Sequence, residues 1–464
     1  MTSREITISN IKDILAKLVS FDTRFIDTDK QNPHGKEVTR AFDYVENYFN
    51  ERNIEVIRYK NHAVEVVYGQ GEKDFVIPVH LDIVPYDKEL WNTDPLVLSE
   101  KDGYWYGRGT IDDKGAAAIL MEIVSELKRQ DIKLNRRLKV VFLGDEETTW
   151  EGADYYIKNV DKIAEDGFVP DSDFPLVNAE KGVINYYIKG MLPETMDLNY
   201  SVRVHSFNLG NVINSVPGKL TVDISFIQND LTDEIKKIFL DNDRIKVKEK
   251  ENGIFNIELE TVSAHASTPH LGKSAFDKFI CMFDSVKFNN SFTRFVNLYK
   301  ENFYDDIYGK KLSIDSNDDY MGPTTINVGM ARYDETNFSF DVDIRQTKTI
   351  TSDEINKLLD DKFNMYETSF NLRHELLFTP LESNLVKTLL NSYEKVTSDR
   401  NAKPFAIGGG TYARLFPNTV AFGPSFSNVR KVNNSNMHGN NENISISSVI
   451  DCYAIYLDSI ISIK

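Results

Sequence analysis

Two apolar runs constrain this chain more than any other feature. Phe75–His80 (FVIPVH) and Leu138–Leu143 (LKVVFL) are almost continuously hydrophobic, and each runs directly into side chains that bind cations or move protons. A strand with one wet face alternates apolar and polar residues, whereas a strand buried on both faces does not. Helical patterns flank both runs, at 8–20, at 36–52 and over Lys114–Gln130, whose apolar stretch is AAAILMEIVSEL. Strands alternating with helices predict an α/β fold, a mostly parallel sheet between helices. Ligands of such sheets bind outside the carboxyl ends of the strands, where His80, Glu146 and Glu147 fall.

The texture changes along the chain. At 464 residues two or three domains are expected. Between about 186 and 377, segments such as LTVDISFI (220–227), NGIFNIELETV (252–262) and NFSFDVDIRQT (337–347) alternate apolar and polar residues, as antiparallel strands with one wet face do. Helical stretches at 274–286 and 352–363 lie between them. This predicts an inserted α+β domain built on antiparallel sheet, over 186–377, within a first domain formed by 1–185 and 378–464. The third segment brings a helical pattern at 381–397, the glycine loop AIGGGTYAR, the short strand NTVAFGP and a closing amphipathic helix.

Composition removes several function classes. A net charge of −17 with no basic run excludes a nucleic-acid partner. Two cysteines, Cys281 and Cys452, make no disulfide framework and no thiol-ligated metal site. No apolar run approaches 18 residues, so no membrane span is expected. The N-terminus lacks a signal-peptide pattern, and the cytoplasm is the expected compartment.

Six residues at strand ends or in the loops after them carry the chemistry: His80, Asp112, Glu146, Glu147, Asp171 and His438. Their phrases are HLDIVP (80–85), GRGTIDDKGA (107–116), LGDEETTWEG (143–152), FVPDSDFP (168–175) and NMHGNNE (436–442). Carboxylates and imidazoles together suit hard-to-borderline divalent ions such as Zn, Mn or Co. Asp82 stands two residues from His80, on the same side of an extended segment, where it can orient that ring. Two adjacent glutamates repel unless a cation lies beside them; one can then bind metal while the other accepts protons. Each phrase alone has a plainer reading: a satisfied histidine, a turn with helix-capping acids, or a solvated acidic loop. His265, in SAHASTPHLG, sits in a polar loop of the inserted domain, and Arg345 follows FDVDI there. His34, His62, His205, His270 and His374 read as surface or packing residues. The glycine loop is neither a Walker loop nor GxGxxG, so a phosphate cradle is unsupported.

Taken together, HxD, GRGxxDxKG, EE, a later Asp and a late MH, in this order, resemble the M20 family of dinuclear metallopeptidases. The match is best to the bacterial dipeptidase branch, the PepV-type enzymes, and covers essentially the whole chain. The resemblance implies a zinc-peptidase-like catalytic domain with an inserted lid, and two divalent ions per chain, Zn or Mn with Co possible. It makes Asp112 the carboxylate shared by the two ions, with His80 and Asp171 at one and Glu147 and His438 at the other. It also implies a cis bond at Asp112–Asp113. Glu146 becomes the general base towards a water held between the ions, Asp82 supports His80, and His265 stabilises the oxyanion. Asn214, Arg345, Gly409, Gly410 and Thr411 contact the substrate, with Arg345 on its terminal carboxylate. The implied reaction is hydrolysis of unblocked dipeptides with broad side-chain tolerance, by a monomer. The alternatives are an N-acyl-amino-acid or succinyl-amine deacylase on the same metal core, or a non-catalytic binding protein.

Overall fold

The structure, a computed structural model, describes residues 3–194, 199–227, 232–240, 242, 244–429 and 435–463. It divides into two compact units, one of residues 1–179, 377–406 and 410–464, the other of residues 180–376 and 407–409.

The first unit is a helix-covered sheet of nine strands. Along its main path the strands run Glu55–Tyr59, Ala63–Tyr68, Arg137–Leu143, Asp74–His80, Asp166–Val169, Thr419–Ala421, Val177–Glu180 and Leu377–Phe378. The four central strands, from Arg137–Leu143 to Thr419–Ala421, are parallel. Antiparallel pairs flank them on both sides, so the sheet is mixed with a parallel centre. The two apolar runs pair with each other, Phe75 opposite Leu138 and His80 opposite Leu143. Every residue of Asp74–His80 is buried, as continuous hydrophobicity requires. Helix Lys114–Arg129 is buried all round from Lys114 to Leu127, which is why its sequence shows an apolar stretch rather than a stripe. Lys128 and Arg129 complement its C-terminal dipole. Ile77, Val79, Ile123, Val140 and Phe142 are among its core side chains.

The second unit holds an eight-stranded, wholly antiparallel sheet. The strand order is Ile245–Glu249, Ile254–Glu260, Lys219–Phe226, Val202–Leu209, Thr325–Asp334, Asn337–Gln346, Gly182–Met191 and Glu367–His374. Burial alternates along Lys219–Phe226 and Glu367–His374, the mark of one covered and one wet face. An aromatic core that includes Phe207, Phe276, Phe292, Phe295 and Phe340 fills the covered side under helices Ala275–Phe283 and Asn290–Asn302. Among the described residues no helix is long and apolar enough to cross a membrane.

Candidate metal centre

The parallel strands deliver their ends to one place. His80 is the last residue of its strand, and Gly144 to Glu147 follow the strand paired with it. Asp171 comes after strand Asp166–Val169. Asp112 sits in the turn before helix Lys114–Arg129, and the Asp112–Asp113 peptide bond is cis, as the resemblance implied. Gly115 starts the helix tightly against that turn, since a Cβ there would lie 2.1 Å from the Thr110 carbonyl oxygen.

Ligand atoms of His80, Asp112 and Asp171 all lie within 4.8 Å of one another, and so do those of Asp112, Glu147 and His438. Asp112 belongs to both groups. Its Oδ1 is 2.8 Å from His80 Nε2, and its Oδ2 is 2.8 Å from His438 Nε2. His438 Nε2 is also 3.0 Å from Glu147 Oε1, and His80 Nε2 is 3.9 Å from Asp171 Oδ2. Bonds of about 2.0–2.2 Å to N and O ligands place neighbouring ligand atoms roughly 3–4 Å apart, close to the 2.8–3.9 Å separations of these atoms.

Charge makes the same demand. Asp112, Asp113, Glu146, Glu147 and Asp171 crowd two imidazoles. Burial pushes the Asp171 carboxyl well above the carboxylate range, and the negative charge of Asp112 adds to that. Burial and then Asp171 do the same to Glu146, and burial and then Asp112 raise Glu147. Hydrogen bonds to Asp112 and Glu147 hold the His438 imidazolium up to about 11. Burial opposes ionisation of Asp112, yet His438 and His80 pull its carboxyl far below the usual range. Asp113 Oδ1 is buried and accepts no hydrogen bond among the described residues. Acidic crowding of this kind, with imidazole nitrogens aimed into it, fits divalent cations.

A second layer holds the first. Asp82 Oδ1 is 3.3 Å from His80 Nδ1 and accepts the Glu146 N–H at 3.1 Å, while its Oδ2 accepts the Glu147 N–H at 3.0 Å. One carboxylate therefore orients both the histidine and the acidic pair. Glu442, fully buried, accepts the N–H groups of Gly109, Ile111 and Asp112 at 3.1, 3.0 and 3.3 Å and pairs with Arg108 at 2.6 Å. Arg108 also donates to the His438 carbonyl at 3.3 Å. Glu442 and Arg108 stand inside phrases already singled out, but nothing in a sequence shows that positions 334 apart meet.

The two glutamates differ. Glu147 faces His438, whereas among the described residues none donates a hydrogen bond to the Glu146 carboxylate. Asp173, the other acid of its phrase, accepts instead from the Ser427 hydroxyl at 2.6 Å.

The remaining predicted residues divide between the units. His265 is exposed in the second unit, on a short ribbon where Ser215 pairs with it. The Ser267 N–H donates to His265 Nδ1 at 3.2 Å, which leaves the proton of a neutral ring on Nε2. Asn214 is exposed beside that ribbon, its carbonyl accepting the Ala266 N–H at 2.9 Å. Arg345 is buried and gripped bidentately by Asp343 at 2.7 and 3.0 Å, with a third hydrogen bond to the Gly408 carbonyl at 3.0 Å. Five N–H donors on a guanidinium leave two for a further acceptor. Asp343 was missed, although its i, i+2 spacing along a strand places it on the same face as Arg345. Gly409 closes the second unit's share of the glycine loop. In the first unit, a side chain at Gly410 would strike the Arg414 guanidinium, 2.1 Å from its Cβ. Thr411 Oγ1 accepts the Ala413 N–H at 3.1 Å and caps a short helical turn.

The chain is also similar to known proteins. The model of peptidase family M20/M25/M40 matches residues 76–462. The chain belongs to that family and is a metallopeptidase. It is 28% identical over 462 residues to the beta-Ala-Xaa dipeptidase of Lactobacillus delbrueckii subsp. lactis, covering 97% of this chain and 95% of that one. Its fold is that of aminoacylhistidine dipeptidase from Vibrio alginolyticus, with a TM-score of 0.58 at 14% identity over 98% of this chain and 97% of the other. The dipeptidase Dug1p from Saccharomyces cerevisiae shares it too, at a TM-score of 0.55 and 13% identity over 99% and 98% of the two chains.

Proposed function

We propose that this metallopeptidase hydrolyses unblocked dipeptides, with broad tolerance of side chains. The observation that carries the reading is the unequal treatment of two neighbouring glutamates: Glu147 is tied to His438, while the Glu146 carboxylate, on a clamped backbone, accepts no hydrogen bond among the described residues. His80, Asp112 and Asp171 would hold one divalent ion and Asp112, Glu147 and His438 a second, Zn or Mn with Co as an alternative, and such ions lower the pKa of water and polarise a carbonyl. Glu146 accepts the proton of the attacking water and returns it to the leaving amine as the C–N bond breaks. His265, with its proton on Nε2, donates to the carbonyl oxygen as negative charge develops there. Arg345 offers its two remaining donors to the substrate's terminal carboxylate, held in orientation by Asp343. Asn214, Gly409, Gly410 and Thr411 complete the substrate contacts.

The name of the Lactobacillus relative, with near-complete mutual coverage, supports a dipeptide substrate. The resemblance to the dipeptidase branch extends this reading to a monomer in the cytoplasm. A panel of free dipeptides, N-acyl amino acids and tripeptides, run on protein loaded with Zn or Mn, tests the reading. Free dipeptides should be cleaved fastest in the panel. Faster release from N-acyl amino acids would replace dipeptidase with deacylase.

A further inference from the structure

Three buried residues near the base have no task in this reaction: Asp145, Trp150 and, from the glycine loop, Tyr412. All lie in the first unit. Asp145 is 0% exposed. Its Oδ2 accepts the Gly152 N–H at 2.9 Å and the Thr149 hydroxyl at 2.8 Å, and its Oδ1 accepts the Tyr412 hydroxyl at 3.3 Å. Its backbone carbonyl accepts the N–H of Trp150 at 3.1 Å. Segment 145–152 is thereby closed into a turn around one carboxylate. Gly152 leaves room for nothing larger, because a Cβ there would lie 2.7 Å from Asp145 Oδ1 and 3.0 Å from His34 Nε2.

The turn holds Trp150 at φ 62°, a left-handed conformation uncommon for a bulky residue. In that position the indole lies edge-on to the Tyr412 ring, with centroids 4.9 Å apart. Its Nε1–H donates to the Glu146 carbonyl at 2.6 Å. Both peptide groups of Glu146 are therefore tied, its N–H to Asp82 and its C=O to Trp150. A carboxylate that accepts no hydrogen bond of its own depends on its backbone for aim, and these two bonds fix the direction of its Cα–Cβ bond. Tyr412 follows Thr411, so the same bracket joins the base turn to the glycine loop.

We propose that Trp150 is a positioning residue for the Glu146 base, with Asp145 and Tyr412 holding its indole in place. This rests on the dipeptidase reading above. The competing role for Trp150 is plain packing, since it also touches an apolar cluster with Leu143, Ala153 and Phe416.

Trp150→Phe separates the two roles, because it keeps an aromatic ring and removes the N–H. On the metal-loaded full chain, kcat for a free dipeptide should fall about tenfold, the order of one lost hydrogen bond. KM, bound metal and thermal midpoint should hold. Tyr412→Phe, which frees Asp145 Oδ1 and loosens the indole, should lower kcat by a smaller factor, and it decides the matter if Trp150→Phe does not fold. Wild-type kcat in the folded variant overturns the proposal, as does a kcat loss that merely tracks lost metal or lost folded protein. A wild-type chain that cleaves neither free dipeptides nor N-acyl amino acids overturns the dipeptidase reading, and the positioning role falls with it.

Discussion

Asp82 meets His80 through one oxygen and the amides of Glu146 and Glu147 through both. Asn at this position has one acceptor oxygen, so one buried N–H loses its partner, at about 1–3 kcal/mol. Asp82→Asn should weaken metal binding by roughly 10–100-fold, read by titration of the apoprotein with Zn or Mn. A residue-scale pH effect is expected elsewhere. Burial, followed by the nearby His34 ring, pushes the His62 imidazole from 6.5 down to about 4. The unfolded ring takes its proton as pH falls through 6.5, while the folded ring resists until about 4. The unfolded state therefore binds more protons in that window, and stability falls as pH drops from about 6.5 towards 4. His62→Gln should flatten this slope in urea melts compared at pH 7 and pH 5. His80, Glu146, Glu147 and Asp171 stood out as candidates because each closes or follows an apolar run, whereas Asp112 and His438 lie in polar phrases that only the shared order of motifs singled out. Trp150 was not, because its role depends on Asp145 meeting Tyr412, 267 positions away.

At the scale of elements, continuous hydrophobicity identified the central strands, and alternation identified the wet-faced sheet. The antiparallel flank Glu55–Tyr59 was less legible: it is half exposed, and its EVIRY sequence resembles an isolated hairpin strand. Helix Asn290–Asn302 was not anticipated at all. Its NSFTRFVNLYKEN sequence is polar overall, and the buried Phe292, Phe295 and Tyr299, with Val296 and Leu298 partly buried beside them, bind it to the aromatic core. Close packing of the parallel strands makes a sharp prediction. Gly167 lies against the neighbouring strand, where a Cβ would stand 2.1 Å from the Val76 carbonyl oxygen. Gly167→Ala should cost about 1–3 kcal/mol, measured as a lower urea midpoint at unchanged slope.

At the scale of the whole molecule, the two units keep separate hydrophobic cores. Two calorimetric transitions are expected, because each core is large enough to melt by itself. The candidate metal ligands all belong to the first unit, so chelation should lower one transition and leave the other in place. A common shift of both would show that the units melt together. A change in strand texture marks the sequence near the boundaries of the two units, but residues 407–409 of the glycine loop cluster with the second unit, which composition does not signal. Two adjacent glutamates divide the work of the site, and one measurement compares them: metal content and dipeptide turnover of Glu146→Gln and Glu147→Gln. Glu146→Gln should retain both ions and lose about 10²–10⁴-fold in kcat, while Glu147→Gln should lose metal along with activity. Normal turnover by Glu146→Gln, or loss of metal from it, would contradict the account.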